Sequence, residues 1–210
     1  MTEVGKRMMV FTGTSNPELA EGVAEHLGIE LGNVKIKKFA NGEIYVRFLE
    51  SVRGADVFLV MSSCSPVNAN LMELMIMVDA AKRASARKIT AVISHYPYAR
   101  QDKKSAAREP ITAKLIADIL TTAGVDRVIT MDLHQGQIQG FFNQSVNHLT
   151  ALPILADYIE SLNLENLCVV SPDVGRVKVA KKLADMLGGG LAIMHKGRPD
   201  HNVAESTHVI

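Results

Sequence analysis

Tryptophan is absent from these 210 residues, aromatic side chains make up only 5% of them, and there are two cysteines, Cys64 and Cys168. So few rings, with no surplus of charge, argue against a nucleic-acid module, which needs stacking surfaces and a broad basic face. The cysteines lie far apart and form no C-x-x-C pair, which fits a reducing compartment rather than a disulfide scaffold. Charge of one sign is missing too: 23 Lys and Arg face 22 Asp and Glu, for a net +1. Any positive patch must therefore be local. No apolar run is long enough to span a bilayer, because the most apolar helical stretch, "LMELMIMVDAA", is interrupted by Glu73 and Asp79. The start, "MTEVGKRMMVFTG", lacks the apolar core of a signal peptide, so the expectation is a soluble cytoplasmic protein with no membrane partner. A G-x-x-x-x-G-K-[ST] phosphate loop is also missing.

What is present is the composition of a folded domain, 47% hydrophobic and 21% charged, with room for one large α/β domain or two small ones. Short β-rich runs alternate with helical segments. Strands are expected at Met8–Phe11, Val57–Met61, Ile89–Ile93, Val128–Met131, Leu167–Val170 and Leu191–Met194. Helices are expected after Ser15 or Asn16 as cap with Pro17 at the first turn and Gly28 at the end, then at Asn68–Ala84, Ile111–Ala123, Leu152–Leu162 and Val177–Leu187. "NVKIKKF" and "EIYVRF" flank Ala40-Asn41-Gly42 and read as a hairpin projecting from the body. Apolar strands alternating with helices predict an α/β fold with a doubly wound, mostly parallel sheet. Ligands of such sheets bind beyond the carboxyl ends of the strands.

Those strand ends are polar. Ile89–Ile93 leads into "YARQDKKSAAREPITAK", where Arg100, Gln101, Asp102, Lys103, Lys104 and Arg108 precede a helix that Pro110 is expected to open. A helix N-terminus with guanidinium groups suits phosphate; a solvated charged loop is the plain alternative. Val128–Met131 leads into "DLHQGQIQGFF", where Asp132 and His134, in extended geometry, point the same way and either hold a divalent metal or form a hydrogen-bonded pair. Leu167–Val170 leads into "SPDVGRVKVAKK", in which Gly175 permits unusual backbone angles and Asp173 either faces a metal or caps the helix. Leu191–Met194 leads into "HKGRPDHNVAEST", a polar segment read as a mobile loop whose Lys196 and Arg198 suit a developing phosphoryl charge. Elsewhere the plain reading suffices: Met72, Met75 and Met77 as core packing, His26 at a helix end, and both cysteines as small buried hydrophobes. Four consecutive strand ends with phosphate- or metal-compatible groups suggest a nucleotide–Mg²⁺ enzyme.

Taken together, "FANGEIYVRFLESVRGADVF", "YPYARQDKK…REPITAKL", "TMDLHQGQIQGFF" and "SPDVGRVKVAKKLAD" resemble the ribose-phosphate pyrophosphokinases, or phosphoribosyl pyrophosphate synthetases, from about Met8 to the end. The resemblance implies two similar phosphoribosyltransferase-like half-domains, residues 1–148 with the hairpin at about 34–48, and residues 149–210 as the start of the second. It implies transfer of the diphosphoryl group of Mg-ATP to the 1-hydroxyl of ribose 5-phosphate, with Mg²⁺ as cofactor. Residue by residue, Phe39, Asn41 and Glu43 match a hairpin tip that contacts adenine across a subunit boundary. Arg100, Gln101 and Asp102 match the ATP loop, His134 and Asp173 the metal-associated positions, and Asp173, Val174, Gly175, Arg176, Val177 and Lys178 the pyrophosphate loop. Lys196 and Arg198 match the flexible catalytic loop, and Ser51, Arg53, Arg108 and Gln139 an effector site for phosphate or ADP. Homodimers stacking into hexamers are implied as well.

Three departures from the family pattern stand out. Arg176 replaces a second glycine of many members, and "FFNQSVNHL" replaces a more acidic stretch. The Asp-Asp…Thr-x-Gly-Thr loop that grips ribose 5-phosphate in the family does not occur in these 210 residues. The expectation is thus a second half-domain with an incomplete sheet, and apolar surface relieved by oligomerisation. The alternative to an active synthetase is a relative that binds nucleotide and oligomerises without turnover.

Overall fold

The computed structural model describes residues 7–200 and 203–209, with side chains through residue 194. The chain divides into two compact units between Leu149 and Thr150.

The first unit is built on five parallel strands in the order β1 (Met8–Thr12), β4 (Asp56–Met61), β5 (Lys88–Ile93), β6 (Arg127–Met131) and β7 (Ser145–Leu149). Strand parity sorts the apolar side chains. Met9, Phe11, Val57, Leu59, Met61, Ile89, Ala91, Ile93 and Val128 join one cluster, with Leu74, Met77 and Val78 of α2 (Val67–Arg83) and Ile116 and Leu120 of α3 (Thr112–Ala123). The intervening Val10 and Val60 join Ala20 of α1 (Pro17–Leu27) on the opposite face. Both faces thus carry helices, the doubly wound arrangement expected. Fully burying a side chain such as Leu59 or Leu74 contributes roughly 1.5–3 kcal/mol.

Local chemistry sets the ends of α1. Asn16 Oδ1 accepts the Leu19 N–H at 3.2 Å, Pro17 occupies the first turn, and Gly28 closes the helix at φ 66°. Of the two expected caps, Asn16 serves; Ser15 Oγ instead accepts the Ser62 N–H at 2.9 Å. Strands β2 (Val34–Lys38) and β3 (Ile44–Phe48) form the expected antiparallel hairpin, turning at Gly42 with φ 90°. Its base does not project freely. Val34, Ile36, Val46 and Phe48 pack on the main core, and Phe48 meets Phe11 edge-on with centroids 4.6 Å apart.

Several expectations need correction. Met72 is exposed, because the buried stripe of α2 runs through Asn70, Glu73, Leu74, Met77, Val78 and Ala81. Glu73, which from sequence only interrupts an apolar run, is 1% exposed. Its carboxylate accepts the Thr14 N–H at 2.6 Å and the Thr14 hydroxyl at 2.8 Å, fixing the turn after β1. Cys64 and Cys168 are both exposed, not buried. Strand β7 was not anticipated: its sheet-facing pair is Val146 and His148, and the histidine hides the alternation.

The second unit pairs β8 (Cys168–Ser171) in parallel with β9 (Gly190–Asp200), which pairs antiparallel with β10 (Val203–Val209). Helices α4 (Leu152–Ser161) and α5 (Val177–Leu187) accompany them. The short strand expected at Leu191–Met194 extends to Asp200 because β10 supplies a neighbour, with Lys196 opposite Ser206. Lys196 and Arg198, expected on a mobile loop, therefore lie on a paired strand; their side chains are outside the described residues. Among the described residues no helix is long and apolar enough to cross a membrane.

Candidate active site

Beyond the carboxyl end of β5 the chain turns sharply. Tyr98 adopts φ 55°, its carbonyl accepts the Gln101 N–H at 2.9 Å, and Arg100 is left exposed at the apex. Left-handed backbone at a non-glycine residue is strained and is held by its surroundings. Here the Tyr98 hydroxyl donates to Asn68 Oδ1 of α2. Gln101 staples the loop to α3: its carbonyl accepts the Ala113 N–H at 3.1 Å and its Oε1 accepts the Thr112 hydroxyl. This corrects two expectations. The helix opens at Thr112 rather than Pro110, and part of its N-terminus is already taken by Gln101 rather than presented whole to phosphate. Beneath the loop, buried Tyr96 donates to the Ala113 carbonyl at 3.0 Å, and its hydroxyl pKa is raised well above normal by burial and then by the Asp118 charge. Farther along, Glu109 Oε2 accepts the N–H groups of Ser105 and Ala106 at 2.7 and 2.8 Å, and Arg108 takes φ 67°.

Asp102 differs from its exposed neighbours Lys103 and Lys104, since its side chain is only 10% exposed. Its Oδ2 lies 3.9 Å from His134 Nδ1, which arrives from the end of β6. Asp102 Oδ1 and His134 Nδ1 are both buried atoms without a hydrogen-bond partner. Buried polar groups are nearly always paired, so two orphans side by side mark a place completed by something else. The expected convergence of Asp132 with His134 is not formed through extended backbone. Asp132 has φ 41°, and the carboxylate that reaches His134 is Asp102.

Among the described residues no cluster of three or more His, Cys, Asp or Glu side chains is arranged to hold a metal. Mg²⁺ is commonly held by one or two carboxylates plus substrate phosphates and waters rather than by a protein cage. One carboxylate beside one imidazole, each with an orphaned atom, fits a cation that arrives on a nucleotide.

The hairpin tip is open. Phe39, Asn41 and Glu43 are exposed; Asn41 Oδ1 accepts the Glu43 N–H at 3.2 Å, and Lys37 Nζ sits 5.0 Å from the Phe39 ring and 5.2 Å from Tyr45. With Lys37 packed against it and half-buried Tyr45 beside it, Phe39 remains 46% exposed, which leaves ring surface for a flat partner. The four expected effector residues come from loops on different elements. Ser51 and Arg53 precede β4, where Gly54 N–H bonds the Ser85 carbonyl, whereas Arg108 and Gln139 follow β5 and β6.

In the second unit Asp173 caps a short 3₁₀ turn, Val174–Arg176, through Oδ1, which accepts the Arg176 N–H at 3.0 Å; the Ser171 hydroxyl donates to its carbonyl at 2.8 Å. The capping alternative for Asp173 is thus realised. Gly175 does not have positive φ, contrary to expectation; a Cβ there would sit 3.1 Å from Asp173 Oδ1, so the capping carboxylate would have to give by a few tenths of an ångström. Arg176 and Lys178 are exposed, Lys178 in the first turn of α5, while Val177 is half-buried.

Residues 8–124 match the family model described as the N-terminal domain of ribose phosphate pyrophosphokinase. The chain belongs to the ribose-phosphate pyrophosphokinase family. The ribose-phosphate pyrophosphokinase of Clostridium perfringens is 54% identical over 213 residues, covering 100% of this chain and 67% of that protein. That of Corynebacterium glutamicum is 56% identical over 195 residues, covering 92% of this chain and 60% of its own length. A crystal structure of phosphoribosylpyrophosphate synthetase from Mycobacterium smegmatis superposes with a TM-score of 0.89 at 51% identity, over 97% of this chain and 67% of that one. The chain therefore spans about two thirds, or somewhat less, of the family members it matches. Two supporting residues of the first unit carry no signal in the sequence: Glu73, whose charge disguises its burial, and His148; Gln101, expected at ATP, also staples α3.

Proposed function

We propose that this chain carries the nucleotide half of a ribose-phosphate diphosphokinase, which transfers the β,γ-diphosphoryl group of ATP to the 1-hydroxyl of ribose 5-phosphate. The O1–Pβ bond forms, the bond from Pβ to the α–β bridging oxygen breaks, and AMP departs with that oxygen. The observation that carries this reading is the orphaned Asp102–His134 pair beyond β5 and β6, beside exposed Arg100, in a member of this family. Mg²⁺, when bound with the nucleotide, supplies charge neutralisation of the phosphates. Asp102 and His134 orient that cation and Arg100 supplies fixed positive charge; the Asp173–Lys178 turn is assigned to the diphosphate by its match to the family's pyrophosphate loop. Lys196 and Arg198 stabilise the charge that develops in transfer.

The test is ³¹P NMR of Mg-ATP with ribose 5-phosphate. Formation of AMP together with a C1 diphosphate ester is expected, and Lys196→Ala should lower kcat about 100-fold or more with little change in ATP affinity. Equal losses in both would show that Lys196 only binds. Mg-ATP binding with no AMP formed would replace this reading by a nucleotide-binding subunit without turnover.

Self-association belongs to the same proposal. Ile154, Leu155, Tyr158 and Leu162 form an exposed apolar stripe along α4, from 47% to 68% accessible. A second copy also allows Ser51 and Arg53 of one chain to meet Arg108 and Gln139 of another in one phosphate or ADP site, and a hairpin tip to close a neighbour's adenine site. Sedimentation equilibrium is expected to give a dimer or hexamer; a monodisperse monomer at micromolar concentration would count against it.

A further inference from the structure

We propose that His148 is a positioning residue for His134, acting through the backbone of the intervening turn; this rests on the Mg-ATP reading of the Asp102–His134 pair. The turn that delivers His134 starts from Asp132 at φ 41°, a conformation that a non-glycine residue holds only when its surroundings enforce it. Strand β7 supplies that enforcement twice in succession. The Leu149 carbonyl accepts the Asp132 N–H at 2.9 Å, and His148 Nε2 accepts the Leu133 N–H at 3.0 Å. The next residue along is His134, whose Nδ1 stands 3.9 Å from Asp102 Oδ2.

The chemistry of the second bond is specific. To accept from a backbone amide, Nε2 must be the bare nitrogen, which places the ring hydrogen on Nδ1. Gln139 Nε2 lies 3.5 Å from that Nδ1 and donates to the Gly136 carbonyl at 2.9 Å, so it competes little for the imidazole. An aliphatic side chain at 148 would leave the Leu133 N–H without its acceptor, and the turn would lose a fixed point. A glutamine places Oε1 near the position of Nε2 and keeps an acceptor there. The role is that of the outer groups that orient metal-associated histidines elsewhere, whose loss typically costs 10–100-fold in affinity or activity.

The experiment compares the 210-residue chain with His148→Leu, His148→Ala and His148→Gln. It follows Leu133 amide exchange and the His134 imidazole signals by ¹⁵N NMR, and Mg-ATP affinity by calorimetry. In the Leu and Ala variants, Leu133 exchange should speed up, the His134 signals should move, and Mg-ATP should bind about tenfold more weakly. The Gln variant should stay close to the parent in all three. Equal behaviour of Gln and Leu, or unchanged affinity in every variant at a temperature where all are folded, would overturn the inference. If the parent itself binds no Mg-ATP, the nucleotide reading falls. The contrast between Gln and Leu in Leu133 exchange then decides the clamp alone, its presence supporting and its absence refuting it.

Discussion

Asp102→Ala and His134→Ala are each expected to weaken Mg-ATP binding by about 10- to 100-fold, and the double variant should lose little more than either single one. The reasoning is geometric. The two side chains come from loops after different strands, face one another at 3.9 Å, and leave Oδ1 and Nδ1 unpaired in buried surroundings. Leaving such atoms unpaired costs about 1–3 kcal/mol apiece, which a cation-bearing ligand recovers on binding. Removing one member takes away part of that recovery and leaves the other member misdirected. Strict additivity, measured by calorimetry across the four proteins, would mean that the pair does not act as a unit.

The second large effect concerns stability. Glu73→Ala should cost about 2–3 kcal/mol in urea denaturation of the first unit, since it opens a cavity at a side chain only 1% exposed and removes both acceptors that hold exposed Thr14. Glu73→Gln should cost less, about 1 kcal/mol, because the amide oxygen still accepts the Thr14 N–H and the NH2 donates to the rotated Thr14 hydroxyl, two neutral hydrogen bonds in place of two charge-assisted ones. The carboxylate lies against Gly13, where an added Cβ would approach its Oε1 to 2.9 Å, so the turn and the acid fit together closely. Losing the carboxylate also loosens Ser15 and Asn16, which hold β4 and cap α1. A loss below about 1 kcal/mol for Glu73→Ala would mean that water enters and replaces the carboxylate.

Much of this architecture could be read from local patterns, and the omissions have physical causes. Asn16, Pro17 and Gly28 frame α1 as their chemistry requires, and Asn41-Gly42 marks the hairpin turn. Strand β7 escaped because His148 occupies an inward position and spoils the apolar alternation. The reach of β9 escaped because strand length depends on a neighbour, β10, that no local window contains. The burial of Glu73 is not legible because a buried carboxylate and a solvated one look alike until their donors are known. The site shows the same division: residues after strand ends could be selected individually, but the pairing of His134 with Asp102 rather than Asp132 depends on the φ of one residue.

The most direct measurement is a titration of the chain with Mg-ATP followed by amide chemical shifts. Saturable changes centred on Arg100, Gln101, Asp102 and His134 are the expected result, with the Asp102→Ala chain responding far more weakly. No saturable change at these residues, or changes confined to other parts of the first unit, would contradict the assignment of this strand-end pair as the nucleotide site.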